Sequence, residues 1–186
     1  MTKVISEGLT KFYQQYPRIP IVVTAQAKGK RNAMAVARHT VISTTPPTYG
    51  VSLSSEAFTY QLIPESKEFG VNFLPFEEAE LVDAIGSSKG QEIDKFQRFN
   101  IAVDKPVKTA VPILKAAYAA YECKVVDDKG YGGSRWVIGE IVAMRVLKEC
   151  LAPQEILDLD KVSPLLYLGQ QHYLNVARET VKYVPR

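Results

Sequence analysis

Short segments with alternating apolar and polar residues recur along this chain. Within residues 49–53 the side chains of Tyr49, Val51 and Leu53 share one face, and small or polar residues occupy the other. Residues 68–74 repeat the same period of two. This period is that of a β-strand that turns one face to a core. Both segments are therefore predicted strands.

Further strands are predicted from β-branched and apolar runs. Residues 21–26 are β-branched and then small, and residues 33–43 are apolar on both parities between turn signals, which predicts a strand buried on both sides. Residues 117–126 and 134–147 are long alternating runs joined by the Gly-rich sequence DDKGYGG. A β-hairpin with a glycine-rich loop is predicted there.

The helical patterns are short. They cover residues 2–15, residues 59–66 with a break at Pro64, residues 75–85 with Gly86 as the closing residue, and residues 153–157. Six or seven strands with short helices between them favour an antiparallel barrel over a doubly wound sheet. The sequence therefore predicts a mainly β fold with short helices, as a single domain over residues 1–186.

Composition narrows the class of protein. A chain of 186 residues buries a core without help from disulfides or a structural metal. The net charge of +3 is small and interspersed, which disfavours nucleic-acid binding. No apolar run approaches the roughly 20 residues that span a bilayer, so no membrane association is expected. Two cysteines and a polar, amphipathic N-terminus predict a cytoplasmic protein.

Two polar junctions are the strongest candidates for a binding site. Ser52, Ser54, Ser55 and Thr59 lie where a strand passes into a helix, and hydroxyls with free backbone N–H groups suit an anionic ligand there. The alternative is that Ser54 or Ser55 only caps the helix. Residues 86–96, with the sequence GSSKGQEIDKF, repeat the same chemistry before another helix.

Other motifs indicate structure rather than chemistry. The sequence GYGG at residues 130–133 joins two strands and has no following helix, so it is predicted to be a hairpin tip. His39 and His172 have no Cys or carboxylate at ligand spacing, which argues against a metal site, and His39 is predicted to be a core or rim histidine. Cys123 is predicted to be a buried thiol. Tyr167 and Tyr173 are candidates for lining a pocket.

Taken in order, the segments KRNAMAV, TTPPTYGVSLS, EFGVNFLP, SSKGQEIDKF and WVIGEIVAMRV resemble the flavin reductase-like, FMN-binding split-barrel family, including its flavoredoxin-type members. The resemblance covers about residues 19–173. It implies an antiparallel split β-barrel that binds FMN and acts as an NAD(P)H:flavin oxidoreductase, with NAD(P)H as electron donor. Two alternatives stay open: a flavoredoxin-like FMN electron-transfer protein with a redox protein partner, and a non-catalytic flavin-binding barrel.

The resemblance also implies which residues meet the cofactor. The backbone of residues 32–35 is expected along the isoalloxazine edge, and the two junctions are expected at the ribityl phosphate. No catalytic side chain is expected, because the flavin carries the chemistry. The implied cofactor-binding residues are Asn32, Ala33, Met34, Ala35, Ser52, Leu53, Ser54, Ser55, Thr59, Ser87, Ser88, Lys89, Gly90, Asp94, Lys95 and Phe96.

The sequence departs from the family pattern after the N-x-M turn. Relatives often have Thr or Ser there and a tryptophan shortly after it, whereas this chain has Ala35 and then the segment ARHT. Arg38 or His39 is a possible source of positive charge, although strand alternation sends these neighbours to opposite faces. Apolar residues on both parities in residues 33–42 and 136–146 predict a homodimer with FMN near its interface.

Overall fold

The computed structural model describes residues 16–184, so the helix predicted for residues 2–15 lies outside the described residues. The strands in chain order are β1 Ile21–Ala27, β2 Lys30–Val36, β3 His39–Thr44, β4 Pro47–Ser54, β5 Glu68–Phe73, β6 Val103–Asp104, β7 Ile113–Leu114, β8 Ala119–Tyr131, β9 Ser134–Val146, β10 Leu166–Gly169 and β11 His172–Leu174. The α-helices are α1 Phe58–Ser66, α2 Ala79–Ser87 and α3 Lys95–Arg98, and 3₁₀ turns cover Phe76–Glu78, Lys148–Cys150 and Arg178–Thr180.

Seven antiparallel strands form the main sheet in the order β2-β1-β5-β8-β9-β4-β3. Its two outer strands, β2 and β3, are consecutive in the chain and are joined only by Ala37 and Arg38. Seven flat strands would separate these edges by about 29 Å, at roughly 4.8 Å per spacing, whereas the link from Val36 to His39 spans at most about 11 Å. The sheet must therefore curl into a barrel, which confirms the predicted fold class.

Two apolar clusters flank strand β1. Ile21, Val23 and Ala25 face the barrel interior, where they join Val51, Leu53 and Phe69, among others. Val22 faces the other way and packs with Ala33, Val82, Ile85 and Phe96, which come from β2, α2 and α3. The sheet is thus covered by helices on the outside of β1 and β2, and α2 and α3 are fastened beside the edge strand β2.

The strand predicted for residues 33–43 is in fact two strands, and the prediction of burial on both sides was wrong for its second half. The chain breaks at Ala37 and Arg38 and continues as β3 at the opposite edge of the sheet. Val41 and Ile42 of β3 are 53% and 43% exposed. An edge strand has a neighbour on one side only, so its apolar residues have fewer groups to pack against.

Three local predictions also need correction. Helix α1 continues through Pro64 to Ser66 and ends with Lys67 in the left-handed conformation. Gly86 lies inside α2, which ends after Ser87, so Gly86 does not cap the helix. Residues 153–157 form turns between the bridged residues Leu151 and Leu157 rather than a helical turn. The predicted β8–β9 hairpin is confirmed, with Gly132 and Gly133 as its two-residue loop.

Candidate functional site

A cleft of about 350 Å³ lies between β2, the loop leading into α1 and the loop between α2 and α3. We call it the anion cleft. It brings together nine of the residues predicted for the cofactor: Asn32, Met34, Ala35, Ser54, Thr59, Ser88, Lys89, Gly90 and Lys95. The remaining lining residues are Glu56, Ala57, Phe58, Ile85, Gly86 and Gln91. The two junctions identified in the sequence therefore meet at one place, as the resemblance implied.

One wall of the anion cleft is the free edge of β2. Strand β2 pairs with β1 on one side, and the carbonyl of Ala33 points away from that partner to accept a hydrogen bond from Lys95 Nζ at 3.0 Å. In an antiparallel strand the N–H and C=O of one residue point to the same edge, and this direction alternates along the chain. The main-chain groups of Ala33 and Ala35 therefore face the cleft side.

Lys95 is the most unusual residue of the anion cleft. Its side chain is charged, yet the residue is only 4% exposed. The ammonium donates to Ala33 O at 3.0 Å and to Ile85 O at 2.6 Å, and within residues 16–184 no carboxylate lies within ion-pair distance of it. Burial lowers the pKa of Lys95 to about 8. A buried cation with carbonyl partners and no counter-charge suits an anionic ligand.

Asn32 organises the floor of the anion cleft through its side chain. The residue is 3% exposed, and its amide donates to the hydroxyl of Thr59 at 2.9 Å. Gly90 packs so closely on this amide that a Cβ at position 90 would lie 2.3 Å from Asn32 Oδ1. The side chain of Asn32, and not only its backbone, therefore joins β2, α1 and the loop after α2.

The serines before α1 do not cap that helix. The N-cap residue is Ala57, and no side chain bonds the first helical N–H groups. Ser54 Oγ instead accepts the N–H of Glu56 at 3.3 Å, and Ser55 donates both its N–H and its hydroxyl to Gly133 O. The β8–β9 hairpin tip thus positions the loop. Ser54 also lines the anion cleft.

Seven predicted residues do not line the anion cleft. Ala33, Leu53 and Phe96 are core side chains, and Asp94 caps α3 by accepting the N–H groups of Phe96 and Gln97. Ser52 lies beside Trp136 on the face of β4 that points away from the core residues Val51 and Leu53, and Ser55 bonds Gly133. Ser87 lines the neighbouring cavity. Ala33 contributes only through its backbone.

A second cavity of about 300 Å³ adjoins the anion cleft and shares Ala35 and Gly86 with it. We call it the aromatic slot, because Tyr167 and Tyr173 of the β10–β11 hairpin line it, as the sequence suggested. Sequence reasoning missed its acidic residue, Asp83, which accepts a hydrogen bond from Tyr173 at 3.1 Å. Asp83 lies in a predicted helix, and no local signal indicated that it meets the distant C-terminal hairpin.

The two candidates for added positive charge lie elsewhere. Arg38 and His39 line a different cavity, beside Trp136. His39 bonds the hydroxyl of Tyr49 at 2.6 Å and the carbonyl of Ile19 at 2.7 Å, and burial lowers its pKa. It is therefore a satisfied, neutral rim residue, as the plainer prediction had it. Cys123 is fully buried in the barrel core.

Residues 16–184 hold no cluster of three or more His, Cys, Asp or Glu side chains that could bind a metal ion. None of their helices combines the length and the apolar character that crossing a bilayer requires.

Solved structures share this fold along nearly the whole chain. An FMN-binding protein from Thermus thermophilus is 32% identical, covers 98% of this chain and 100% of its own, and superimposes with a TM-score of 0.87. A flavoredoxin from Methanosarcina acetivorans is 27% identical, covers 100% of this chain and 95% of its own, and has a TM-score of 0.84.

Sequence relatives also match most of this chain. A ferric-chelate reductase (NAD(P)H) from Archaeoglobus fulgidus is 30% identical over 130 residues, which cover 69% of this chain and 75% of the reductase. The match to an uncharacterised Aeropyrum pernix protein is 29% identical over 83% of this chain but spans only 59% of that longer protein. The sequence pattern of the flavin reductase like domain matches residues 13–176. The chain therefore belongs to the flavin reductase-like family.

Proposed function

We propose that this protein is an FMN-binding flavin oxidoreductase that accepts hydride from NAD(P)H. The observation that carries the proposal is the buried ammonium of Lys95, which has carbonyl partners but no carboxylate among the described residues and lines a cleft of hydroxyls and backbone groups. Such a cleft suits a phosphorylated ligand. The names of the relatives, an FMN-binding protein and an NAD(P)H-dependent reductase, support FMN as that ligand.

The phosphate end of FMN fits the side of the anion cleft where the two junctions meet. Ser54 and Lys89 supply donors there, and Lys95 adds a buried positive charge. Ser88 also lines this side, but its hydroxyl already donates to Ala84 O at 2.7 Å. Hydrogen bonds between a phosphate and charged or hydroxyl donors are shorter and stronger than neutral ones. Lys89 is exposed and pairs with Glu92 at 3.3 Å, so we expect it to contribute less than Lys95.

The ring end fits the free edge of β2. Ala33 and Ala35 direct main-chain groups to the cleft side, and Ala35 also borders the aromatic slot. When bound, FMN supplies a ring that accepts hydride and then carries additional negative charge. Backbone N–H donors held in place by the sheet stabilise such charge without reorganisation. The side chain of Ala35 has no hydroxyl, so only the main chain at this position can donate a hydrogen bond to the ring.

A second candidate function is electron transfer. The likeness to a flavoredoxin favours a protein that keeps its FMN and exchanges electrons with a redox protein partner. The same anion cleft would hold the cofactor in either case. A non-catalytic flavin-binding barrel is the third possibility, since fold does not fix function.

An anaerobic titration separates these functions. The purified protein is mixed with excess FMN, desalted, and titrated with NADH and with NADPH while the visible flavin absorbance is followed. We expect FMN to remain with the protein and to bleach with one of the two nucleotides. Retained FMN that bleaches only with dithionite or a reduced protein would favour the carrier, and protein that retains no FMN would contradict the proposal.

We also propose a cytoplasmic homodimer. Val41 and Ile42 leave apolar surface on the edge strand β3, which lies next to the two-residue link to β2. Such surface supports an interface with a second copy of the chain. Both cysteines are free thiols and buried, which suits a reducing compartment. Light scattering at micromolar concentration tests the assembly, and a monomer that still binds FMN would contradict it.

A further inference from the structure

The loop that leads into α1, residues 55–57, has no side-chain cap at the helix start, so its shape depends on contacts with other parts of the chain. It begins where the pairing of β4 with β9 ends, at Ser54 opposite Ser134. Ser55, the next residue, donates its N–H and its hydroxyl to Gly133 O at 3.1 and 3.3 Å. The tip of the β8–β9 hairpin therefore fixes the first residue of this loop.

One carboxylate, that of Asp128 in β8, links the same hairpin to α1. Its Oδ1 accepts Arg135 Nε at 2.9 Å, and the main-chain carbonyl of Asp128 accepts Arg135 Nη2 at 3.0 Å. Its Oδ2 accepts the hydroxyl of Tyr60, in the first turn of α1, at 2.9 Å. The guanidinium of Arg135 also lies 5.7 Å from the centre of the Tyr60 ring. Asp128 therefore joins β8, β9 and the start of α1.

These contacts differ from those of an ordinary surface ion pair. The side chains of Arg135 and Asp128 are only 31% and 22% exposed. A guanidinium that donates two N–H groups to one partner residue is held in a fixed orientation, whereas exposed pairs that make a single contact contribute little. We therefore expect Asp128 to keep the hairpin and the start of α1 in fixed positions.

The first turn of α1 is also held from the side of the anion cleft. Thr59 is fully buried, and its hydroxyl accepts the amide of Asn32 at 2.9 Å. Because Thr59 and Tyr60 are neighbours, this turn is fixed from β2 on one side and from the hairpin on the other. Residues 56–59 lie between the two hairpin contacts and line the anion cleft. A movement of the hairpin would therefore change the shape of this wall.

We propose that Asp128 is a positioning residue for the phosphate of the ligand, acting through the hairpin and α1 rather than by contact. Asp128 is not among the residues that line the anion cleft. The inference rests on the proposed function, in which the FMN phosphate lies where this loop meets the loop between α2 and α3. Asp128 holds the loop in the shape that receives the phosphate, so that binding does not have to order it.

Electrostatics alone would give Asp128 the opposite role. A carboxylate near the cleft repels a phosphate, so its replacement in Asp128→Asn should then leave FMN binding unchanged or make it tighter. Positioning predicts weaker binding, because an amide has one acceptor oxygen where this carboxylate uses two, one for Arg135 and one for Tyr60. The sign of the change in affinity therefore separates the two roles.

The test is an equilibrium titration of the full chain with FMN and with riboflavin. We expect Asp128→Asn to bind FMN about three- to tenfold more weakly, the effect of one lost hydrogen bond, and to keep its riboflavin affinity within about twofold. Asp127→Asn is the matched control, because it removes a charge from the preceding, exposed residue of β8 and should bind both flavins as the parent does. Tighter or unchanged FMN binding in Asp128→Asn, or an equal loss for both flavins, would overturn the assignment.

Tyr60→Phe keeps the assignment testable if Asp128→Asn does not fold. It removes only the hydroxyl that donates to Asp128 and leaves the pair of Asp128 and Arg135 in place. We expect this variant to bind FMN about two- to fivefold more weakly and to bind riboflavin normally. Unchanged FMN binding by a folded Tyr60→Phe variant would overturn the assignment.

Amide hydrogen exchange of Ser55 in the ligand-free chain tests the positioning without a flavin. Asp128→Asn should accelerate this exchange at least about threefold, and Asp127→Asn should not. If the chain binds no FMN but the exchange accelerates, the flavin proposal falls and the positioning of the loop by Asp128 stands. If the chain binds FMN and Asp128→Asn changes neither the exchange nor the affinity, the flavin proposal stands and the role of Asp128 falls.

Discussion

Replacing Lys95 by methionine is the most informative single change in the anion cleft. Methionine keeps an unbranched side chain of similar length but removes the ammonium and its bonds to Ala33 O and Ile85 O. A hydrogen bond to a charged group contributes about 1.5 to 3 kcal/mol. The Lys95→Met variant should therefore bind FMN about 10- to 150-fold more weakly, at about 1.4 kcal/mol for each factor of ten.

The effect on folding should be smaller. Lys95→Met leaves two carbonyls without a donor, which destabilises the folded chain, but it also removes a buried charge, which stabilises it. We expect the free energy of unfolding to change by less than about 2 kcal/mol in urea titrations without FMN. The variant should therefore remain folded, so that its loss of affinity reports on the ligand.

The assay is an equilibrium titration with FMN and with riboflavin, which lacks the phosphate. If Lys95 faces the phosphate, the variant should lose affinity for FMN and keep its affinity for riboflavin. Lys89→Met is the control, because Lys89 is exposed and its loss should weaken binding less than about fivefold, since an exposed charge pair contributes at most about 1 kcal/mol. Equal losses for FMN and riboflavin would place Lys95 at the ring instead. Unchanged binding of both would refute the reasoning.

Three further predictions follow from the same contacts. Gly90→Ala should displace the Asn32 amide and weaken FMN binding at least tenfold. The control Gly133→Ala should bind FMN normally, because a Cβ at position 133 meets no atom within 4 Å. Fluorescence titration of both variants with FMN measures the two affinities. Burial lowers the pKa of Lys95 from 10.5 to about 8, so the ligand-free protein should gain stability as the pH rises from 8 to 10.5. FMN binding at about pH 9 should be accompanied by uptake of a proton, and the Lys95→Met variant should lose this uptake. Calorimetry in two buffers measures the proton uptake. Burial raises the pKa of Glu122, but hydrogen bonds from Val107, Lys108 and Thr109 outweigh burial and lower the pKa overall, so the stability that these bonds give the folded protein is lost as the pH falls below about 4.5. In urea unfolding at pH 7, Glu122→Gln should lower the free energy of unfolding by about 2 kcal/mol. The same loss in the exposed control Glu140→Gln would contradict this prediction.

The strands of the barrel were largely predictable because their alternation is local. Residues 49–53 fall in β4, residues 68–73 of the predicted 68–74 form β5, and the two runs with their glycine-rich loop indicate the long hairpin. The split between β2 and β3 was not predicted, although the polar residues Arg38, His39 and Thr40 interrupt the apolar run at the break. Only the closure of the sheet places β3 at the opposite edge, and closure depends on pairings between strands far apart in the sequence.

The sequence indicated most residues that line the anion cleft, but not their contacts. Strand alternation already placed Leu53 on the core face with Tyr49 and Val51, so its inclusion among the cofactor residues conflicted with the pattern, and the structure buries it. Lys95 was expected at the cofactor, but its burial against two carbonyls follows from tertiary packing of α2 and α3 on β2. The bond from Asn32 to Thr59 also joins residues 27 positions apart, which no local pattern indicates.

The most direct test of the anion cleft as the FMN site is a crystal structure of the protein grown or soaked with FMN. The account predicts difference density for the phosphate beside Ser54, Ser88 and Lys95, with the ring along the edge of β2 at Ala33 and Ala35. Density for FMN in another cavity, such as the one beside Arg38 and Trp136, with the anion cleft left to water, would contradict it.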